Sequence, residues 1–333
     1  MAAFSLAPDR AVDLAWHLGL RLDWMMEDVL GMNVVLHAAR AIQAGDASVV
    51  AIVAGDRLVG ADYGAMVNDY NAATRDYLAP IPVGGPNPLF ALITQDHMER
   101  HGLERADYGR VVIAQRAWAG TNPNAAYREP LTLEEYLAAP VVADPLTRLD
   151  CPPVVAAAEA LVLTSAERAA GSRGRIVRLR AADAVFNHDG QQGDGLTTGI
   201  AEMGPRVWKA SGFGPQDADV IQVYDDYPVM VLVQLEELGL APGGDVRALA
   251  LSLCGPGQGP AVNTSGGLLT AGQPGAASST HGLVEAARQL RHQRGDGQVP
   301  GAARAVVSAY GMVLYRYGAC AIVATLESEE AGS

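Results

Sequence analysis

Residues 33–55 constrain the fold more than any other stretch of the chain. Val34, Val35, Ala38, Ala39 and Ile42 recur at helical spacing and give one apolar face. Gly45 ends that helix, and residues 48–55, SVVAIVAG, follow as a continuous apolar strand. A helix that feeds a wholly apolar strand is the pattern of a parallel sheet covered on both faces, so an α/β protein is expected. The second half repeats the pattern. Residues 219–223 read as a strand, and Pro228 opens a helix that ends at Gly239, with proline in the first turn and glycine past the end. Leu283, Val284, Ala287 and Leu290 form the apolar face of another helix. Residues 304–309 and 319–326 close the chain as two strands joined by a loop over 310–318. Between the halves, residues 154–165 read as a strand or a helix leading into one, 174–181 as a strand, 187–198 as a polar loop, and 103–153 as short helices and turns.

At 333 residues and 49% hydrophobic content the chain can bury a large core, and its length suits about two domains. A formal net charge of -13 argues against nucleic acid as partner, because such binders concentrate Lys and Arg on one face. No apolar run is long enough for a membrane-spanning helix, and the first residues lack the basic start of a signal peptide. Cys151, Cys254 and Cys320 are scattered and form no CxxC pair, which fits a reducing cytoplasm and argues against structural zinc. His97 and His101 stand four apart on an expected helix, which is metal-ligand spacing. No third ligand lies near them in sequence, so an exposed helix face is expected there and no metal.

Three turn-rich places stand where apolar elements end: residues 223–227 (VYDDY), 263–275 (NTSGGLLTAGQPG) and 308–312 (SAYGM). In α/β proteins such positions carry function, although any one of them alone reads as an ordinary turn. None matches a phosphate-binding loop. Together they resemble the thiolase superfamily. NTSGGLLTAGQPGAA is similar to the thiolase loop NxxGGxxAxGHPxGA. DVIQVYDDYPVMVLVQLEELGL is similar to the strand–loop–helix that carries a His or Asn motif, and AVVSAYGM to the closing strand that leads into a CxG loop. ARAIQAGDASVVAIVAG resembles the helix and strand after the thiolase nucleophile, and NPNAAYREPLTLEEYL and ADPLTRLDC resemble the intervening loop domain. The resemblance implies a layered αβαβα thiolase fold with two mixed five-stranded sheets. Its first half is expected to be incomplete, because the strand, helix and strand that open a thiolase have no counterpart before residues 10–20. The implied units are 1–60 with 150–182 as the N-terminal half, 61–149 as the loop domain, and 183–330 as the C-terminal half.

The departures from the family pattern bear on chemistry. The nucleophilic cysteine position falls at or near Asp28, and no cysteine precedes Cys151. The histidine of the GHP motif is Gln273, the second cysteine aligns with Tyr310, and the His or Asn of the oxygen-binding motif aligns with Tyr224. Claisen chemistry needs a thiolate and a base, and an amide cannot be that base. Ordinary thiolysis is therefore not expected. The resemblance is greatest to the lipid-transfer-protein-like and sterol-carrier branch, whose members cleave a β-hydroxyacyl-CoA by a retro-aldol reaction. On that reading Tyr224, Tyr310, Gln273 and Asp28 form the catalytic set, with Asp28 and Asp225 as assistants to the tyrosines. Asn263, Ser265, Gly266, Gly267 and Gly272 would hold the coenzyme A part of the substrate, with no resident cofactor. The branch also implies a homodimer that buries the strand at residues 48–54, and a small zinc-ribbon/OB-fold partner protein. Blander readings stand beside this one: the tyrosines as packing residues with bonded hydroxyls, Asp28 as a helix cap, and the chain as a non-catalytic acyl-CoA or lipid-binding subunit or an acyltransferase.

Overall fold

The apolar face expected on the first long helix is the face that folding buries. In the computed structural model, helix α2 (Gly31–Ala44) buries Met32, Val34, Val35, Ala38 and Ala41 and stops at Gly45, whose φ of 83° closes the end in the left-handed region. The structure describes residues 2–4, 10–28, 30–57, 64–65, 72–81, 85–314 and 317–329, with backbone alone for 2–4, 312–314 and 317–319. Before α2 come strand β1 (Ala2–Phe4) and helix α1 (Ala11–His17), and after it strand β2 (Val49–Arg57). Helices α3 (Asn87–His101), α4 (Arg105–Ala119) and α5 (Leu133–Leu137) follow, then the short ladder β3 (Val141–Ala143) with β4 (Leu146–Thr147). Next are β5 (Ala156–Thr164), α6 (Ala166–Ala169), β6 (Ile176–Phe186), α7 (Ile200–Ser211), β7 (Val220–Val223), α8 (Pro228–Glu237) and α9 (Val246–Ser252). Helices α10 (Gly267–Ala271) and α11 (Ser278–Leu290) and strands β8 (Arg304–Leu314) and β9 (Tyr317–Glu329) complete the order.

Two mixed sheets result. The first runs β1-β2-β5, with β1 parallel and β5 antiparallel to β2. The second runs β6-β9-β8-β7, with only the β7–β8 pair parallel. They hold three and four strands among the described residues, fewer than the five apiece that the resemblance implies. Helices α2 and α11 pack against both sheets and form the central layer, and α7 and α8 cover the far face of the second sheet. Alternation along β8 serves the two sides: Ala305, Val307 and Ala309 join the central core, whereas Val306 and Tyr310 join the outer one.

Several expectations need correction. Strand β2 is covered on one face only: Val50, Ile52 and Ala54 are buried, while its other face is half-buried and Val49 is 41% exposed. It lies between β1 and β5, so residues 52–54 offer no free edge, and among the described residues β1 and β5 are the two outer strands of this sheet. The boundary expected at 182/183 falls inside β6, which pairs with β9 and so belongs wholly to the second sheet. Residues 310–314 and 317–318 continue β8 and β9 instead of forming a loop, because the antiparallel ladder runs on to the pair Leu314–Tyr317. Tyr315 lies outside the described residues, as do 82–84 in the Pro/Gly-rich stretch. Residues 105–119 form a helix of four turns, longer than the short helices expected of that region.

Candidate active site

Strand β7 ends at Val223, and the chain turns through residues 224–227 into α8. Backbone bonds fix this turn: Tyr224 N donates to the Ser308 carbonyl of β8 at 3.1 Å. Buried Gln234 holds it from below. Its Nε2 donates to the carbonyls of Tyr224 (2.6 Å) and Met230 (2.8 Å), and its Oε1 accepts from Ser308 Oγ at 3.0 Å. The turn is thereby anchored to the neighbouring strand as well as to its own helix.

Three of the four expected catalytic side chains meet here. The Tyr224 hydroxyl accepts from Gln273 Nε2 at 3.3 Å and lies 3.2 Å from Ser278 Oγ. The Tyr310 ring stands edge-on to Tyr224, with centroids 5.6 Å apart. The Tyr310 hydroxyl donates to Asp226 Oδ1. Asp28 is placed differently. Its Oδ1 accepts from Leu30 N at 2.9 Å and its Oδ2 from Asn33 Nδ2, bonds that belong to the start of α2, and its charge faces the Cys320 thiol. The carboxyl bonded to a tyrosine is thus that of Asp226, where the sequence pointed to Asp28 or Asp225.

Asp225 is tied to the Gly-rich loop. It accepts from Leu268 N (2.9 Å), Leu269 N (3.2 Å) and Gln115 Nε2 (2.8 Å). The glycines expected to hold coenzyme A have packing reasons to be glycine. A Cβ on Gly267 (φ 61°) would stand 2.0 Å from Asp225 Oδ2, and one on Gly266 (φ 95°) 2.6 Å from Ala119 Cβ. Gly272 presses on Val155 in the same way. Ser265 Oγ accepts from Gly267 N and lies 2.7 Å from His281 Nε2, and His281 Nδ1 lies 2.7 Å from Glu159 Oε1. Asn263 Oδ1 accepts from Val223 N at 2.9 Å. Its Nδ2 is buried without a partner among the described residues, and the residue lines a cavity together with Met32, Tyr224, Asp225, Ser278 and His281. An unpaired buried donor is costly, and a ligand oxygen in the cavity would satisfy it.

Burial sets the charges. It pushes both Asp225 and Asp226 up to about 7. For Asp225 the backbone N–H groups of Leu268 and Leu269, the His281 charge and the Gln115 amide oppose that push; for Asp226 the Tyr310 hydroxyl and the backbone N–H groups of Asp226 and Tyr227 oppose it, while the Asp225 charge adds to it. Both carboxyls are therefore held near neutrality, and Asp226 is the one of the two that is bonded to a tyrosine. Burial and then the Asp226 charge raise Tyr310 well above the ordinary phenol range, so it holds its proton unless Asp226 takes it. For His281 burial opposes charge, but Glu159 at hydrogen-bond distance and the carboxyls of Glu285 and Asp225 outweigh it and raise the pKa. Burial pushes the Cys151 thiol up to about 11 and the Cys320 thiol up to about 12, so both stay protonated near neutral pH.

His97 and His101 do share one side of α3, with ring centroids 4.6 Å apart. Glu236 of α8 lies 3.6 Å from His101 Nε2. The sequence concealed this carboxylate, as it concealed the His281–Glu159 contact, whose partners are 122 positions apart. Burial, then His101 and Arg100, pushes His97 down to about 3, which leaves its ring neutral.

Residues 184–324 match the family described as "Thiolase C-terminal domain-like". The chain is 30% identical over 274 residues to the 17-hydroxy-3-oxo-4-pregnene-20-carboxyl-CoA lyase of Mycobacterium tuberculosis, covering 77% of this chain and 70% of that one. It is 31% identical over 228 residues to the steroid side-chain-cleaving aldolase of Thermomonospora curvata, covering 64% and 58%. Among solved structures it resembles an Ltp2–ChsH2(DUF35) aldolase with a TM-score of 0.81 at 23% identity, over all of this chain and 87% of the other. That last likeness concerns the fold.

Proposed function

The chain belongs to the thiolase superfamily, and on that premise we propose that it is an acyl-CoA carbon–carbon lyase that cleaves a β-hydroxyacyl-CoA by a retro-aldol reaction. The observation that carries this reading is the Tyr310 hydroxyl donating to the carboxyl of Asp226, with the Tyr310 ring edge-on to Tyr224, which lines the cavity. A retro-aldol step needs a base for the β-hydroxyl proton and donors for the thioester enolate, but no covalent acyl-enzyme. Tyr310 is the base: it accepts the substrate proton while its own passes to Asp226, so no free phenolate forms. The electrons of the Cα–Cβ bond move into the thioester enolate, and the carbonyl product departs. The Tyr224 hydroxyl, oriented by Gln273 Nε2, and the unpartnered Asn263 Nδ2 are the donors for the enolate oxygen. The proton held by Asp226 returns through the Tyr310 hydroxyl to Cα, which restores both groups and releases the shortened acyl-CoA.

Coenzyme A enters as part of the substrate. The relatives' names support a steroid side-chain ester as the substrate class. The structural neighbour is an aldolase solved together with a DUF35 chain, which supports a second subunit of that type here. The open edge of β5 supports pairing with a second copy of this chain. The test is cleavage of 17-hydroxy-3-oxo-4-pregnene-20-carboxyl-CoA by the full chain, with and without a DUF35-type subunit. Release of the ketone supports the reading. A parent protein that binds the ester but never cleaves it in either mixture is a binding subunit instead.

A further inference from the structure

Helices α3 and α8 run side by side, and their first turns are already joined: Tyr227, the residue before α8, stacks on Phe90 with centroids 4.0 Å apart and donates its hydroxyl to Asn87 Oδ1 at 2.5 Å. Toward their C-terminal ends the same two helices bring together His97, His101 and Glu236, whose ligand atoms all lie within 4.8 Å of one another. We propose that these three side chains form a binding site for a divalent cation of the zinc class, which clamps α3 to α8 and keeps one coordination position open to solvent.

His97 is the strongest argument. It is fully buried, its Nδ1 lies 2.9 Å from the Tyr108 hydroxyl, and its Nε2 has no hydrogen-bond partner among the described residues. A buried ring nitrogen without a partner is an anomaly that a metal ion resolves, and the contact at the other nitrogen orients the ring as ligand-supporting contacts do. The spacing argues next. His97 and His101 stand one turn apart on one face of α3, which lets both rings address a single point. Tetrahedral zinc with bonds of about 2.1 Å places its ligand atoms roughly 3.4 Å apart. The His101 Nε2–Glu236 Oε2 distance of 3.6 Å already meets this, and the His97 nitrogen lies within 4.8 Å of both. Burial grades outward, from His97 inside to His101 and Glu236, whose side chains are 17% and 34% exposed. Two imidazoles and one carboxylate suit zinc, cobalt or nickel rather than calcium or magnesium, which prefer oxygen-only shells. Glu236 lies eight residues along α8 from Pro228, roughly 12 Å from the Tyr224 turn, so the ion would lie apart from the reacting atoms. The inference does not depend on the proposed lyase reaction.

The test uses the full chain without a histidine tag, stripped of metal by chelation and titrated with Zn2+ alone and with Co2+ alone. One equivalent of Zn2+ should bind and raise the melting temperature, and Co2+ should give the visible absorption of a low-coordinate site. Glu236→Gln, which keeps size and sits at the rim, should weaken Zn2+ binding by ~10-fold or more. His101→Ala should abolish the melting shift, whereas His17→Ala, on the distant α1, should leave it intact. A parent protein that binds no Zn2+, or one whose affinity survives both rim substitutions, overturns the site.

Discussion

The two sheets are made of similarly apolar strands and yet are finished differently. In the second sheet Val306, Val307, Ile322 and Val323 are each at most 1% exposed, because α2 and α11 cover one face and α7 and α8 the other. In the first, Val50 and Ile52 are as well buried, but Val49 is 41% and Val162 of β5 is 69% exposed. An apolar run thus tells that a strand is built to be covered, and not by what. The candidate site follows the same division. Tyr224, Asp226 and Tyr310 belong to the doubly covered sheet and its turn, whereas the first sheet reaches the cavity lining through Glu159, which bonds His281.

The largest contrast should come from placing a charge in each sheet. Val323→Asp buries an unpaired carboxylate between two layers, a change that costs several kcal/mol and should leave the chain unfolded or aggregated. The same change at Val162 should be nearly silent. Urea titrations of both variants decide this, and equal losses would mean that the two sheets are equally covered.

Next in size is the chemistry of the second sheet. Tyr310→Phe and Tyr224→Phe should each lower turnover by ~10²–10⁴-fold, while each lost hydroxyl bond costs only about 1 kcal/mol of stability. If the two tyrosines act on one substrate, the double variant should be little slower than the poorer single one. Parent-like cleavage by both single variants would remove the tyrosines from the mechanism. Glu159→Gln, the contribution of the first sheet, should leave turnover much closer to that of the parent.

A smaller effect separates the regions by pH. Asp225 and Asp226 both titrate at about 7 in the folded chain and near ~3.9 when unfolded, so the folded state binds more protons between those values. Stability should therefore fall as pH rises through that window, and turnover, which needs ionised Asp226, should rise over its upper end. His281 has the same sign in a higher window: the stability it contributes is present below ~6.5 and is lost as pH passes its raised folded value. Glu159→Gln should return the His281 titration, followed by NMR, toward or below the ordinary range. Turnover of the parent that is flat from pH 5 to 8 would contradict the role given to Asp226.

How much of this was written in the sequence depends on how local each feature is. The order of the loops at 223–227, 263–275 and 308–312 carried the fold and brought Tyr224, Gln273 and Tyr310 to one place, because each loop's identity is set by its own residues. Which of two adjacent aspartates meets Tyr310 was not legible, since the turn at 224–227 aims Asp225 at α10 and Asp226 at β8. The glycines of the 263–275 loop suggested ligand binding, but the contacts that require glycine come from Ala119, Val155 and Asp225, far away in the chain. Strand β2 misled for the same reason: its apolar residues carry no record of whether a helix lies over both faces.

The smallest effect tests what completes the first sheet. Val162→Lys puts a solvated charge on the exposed side of β5, where substitutions usually change stability by less than about 0.5 kcal/mol. A lysine there should nonetheless oppose a second copy that pairs along the open edge of β5, since charged residues are what sheet edges use to prevent such pairing. The expected result is therefore unchanged unfolding of the single chain together with weaker association in sedimentation at micromolar concentration. A lysine variant that associates as strongly as the parent would place the interface elsewhere. A loss of more than about 1 kcal/mol in the unassociated chain would show that the face around Val162 is covered after all, and the contrast between the two sheets would fail at that point.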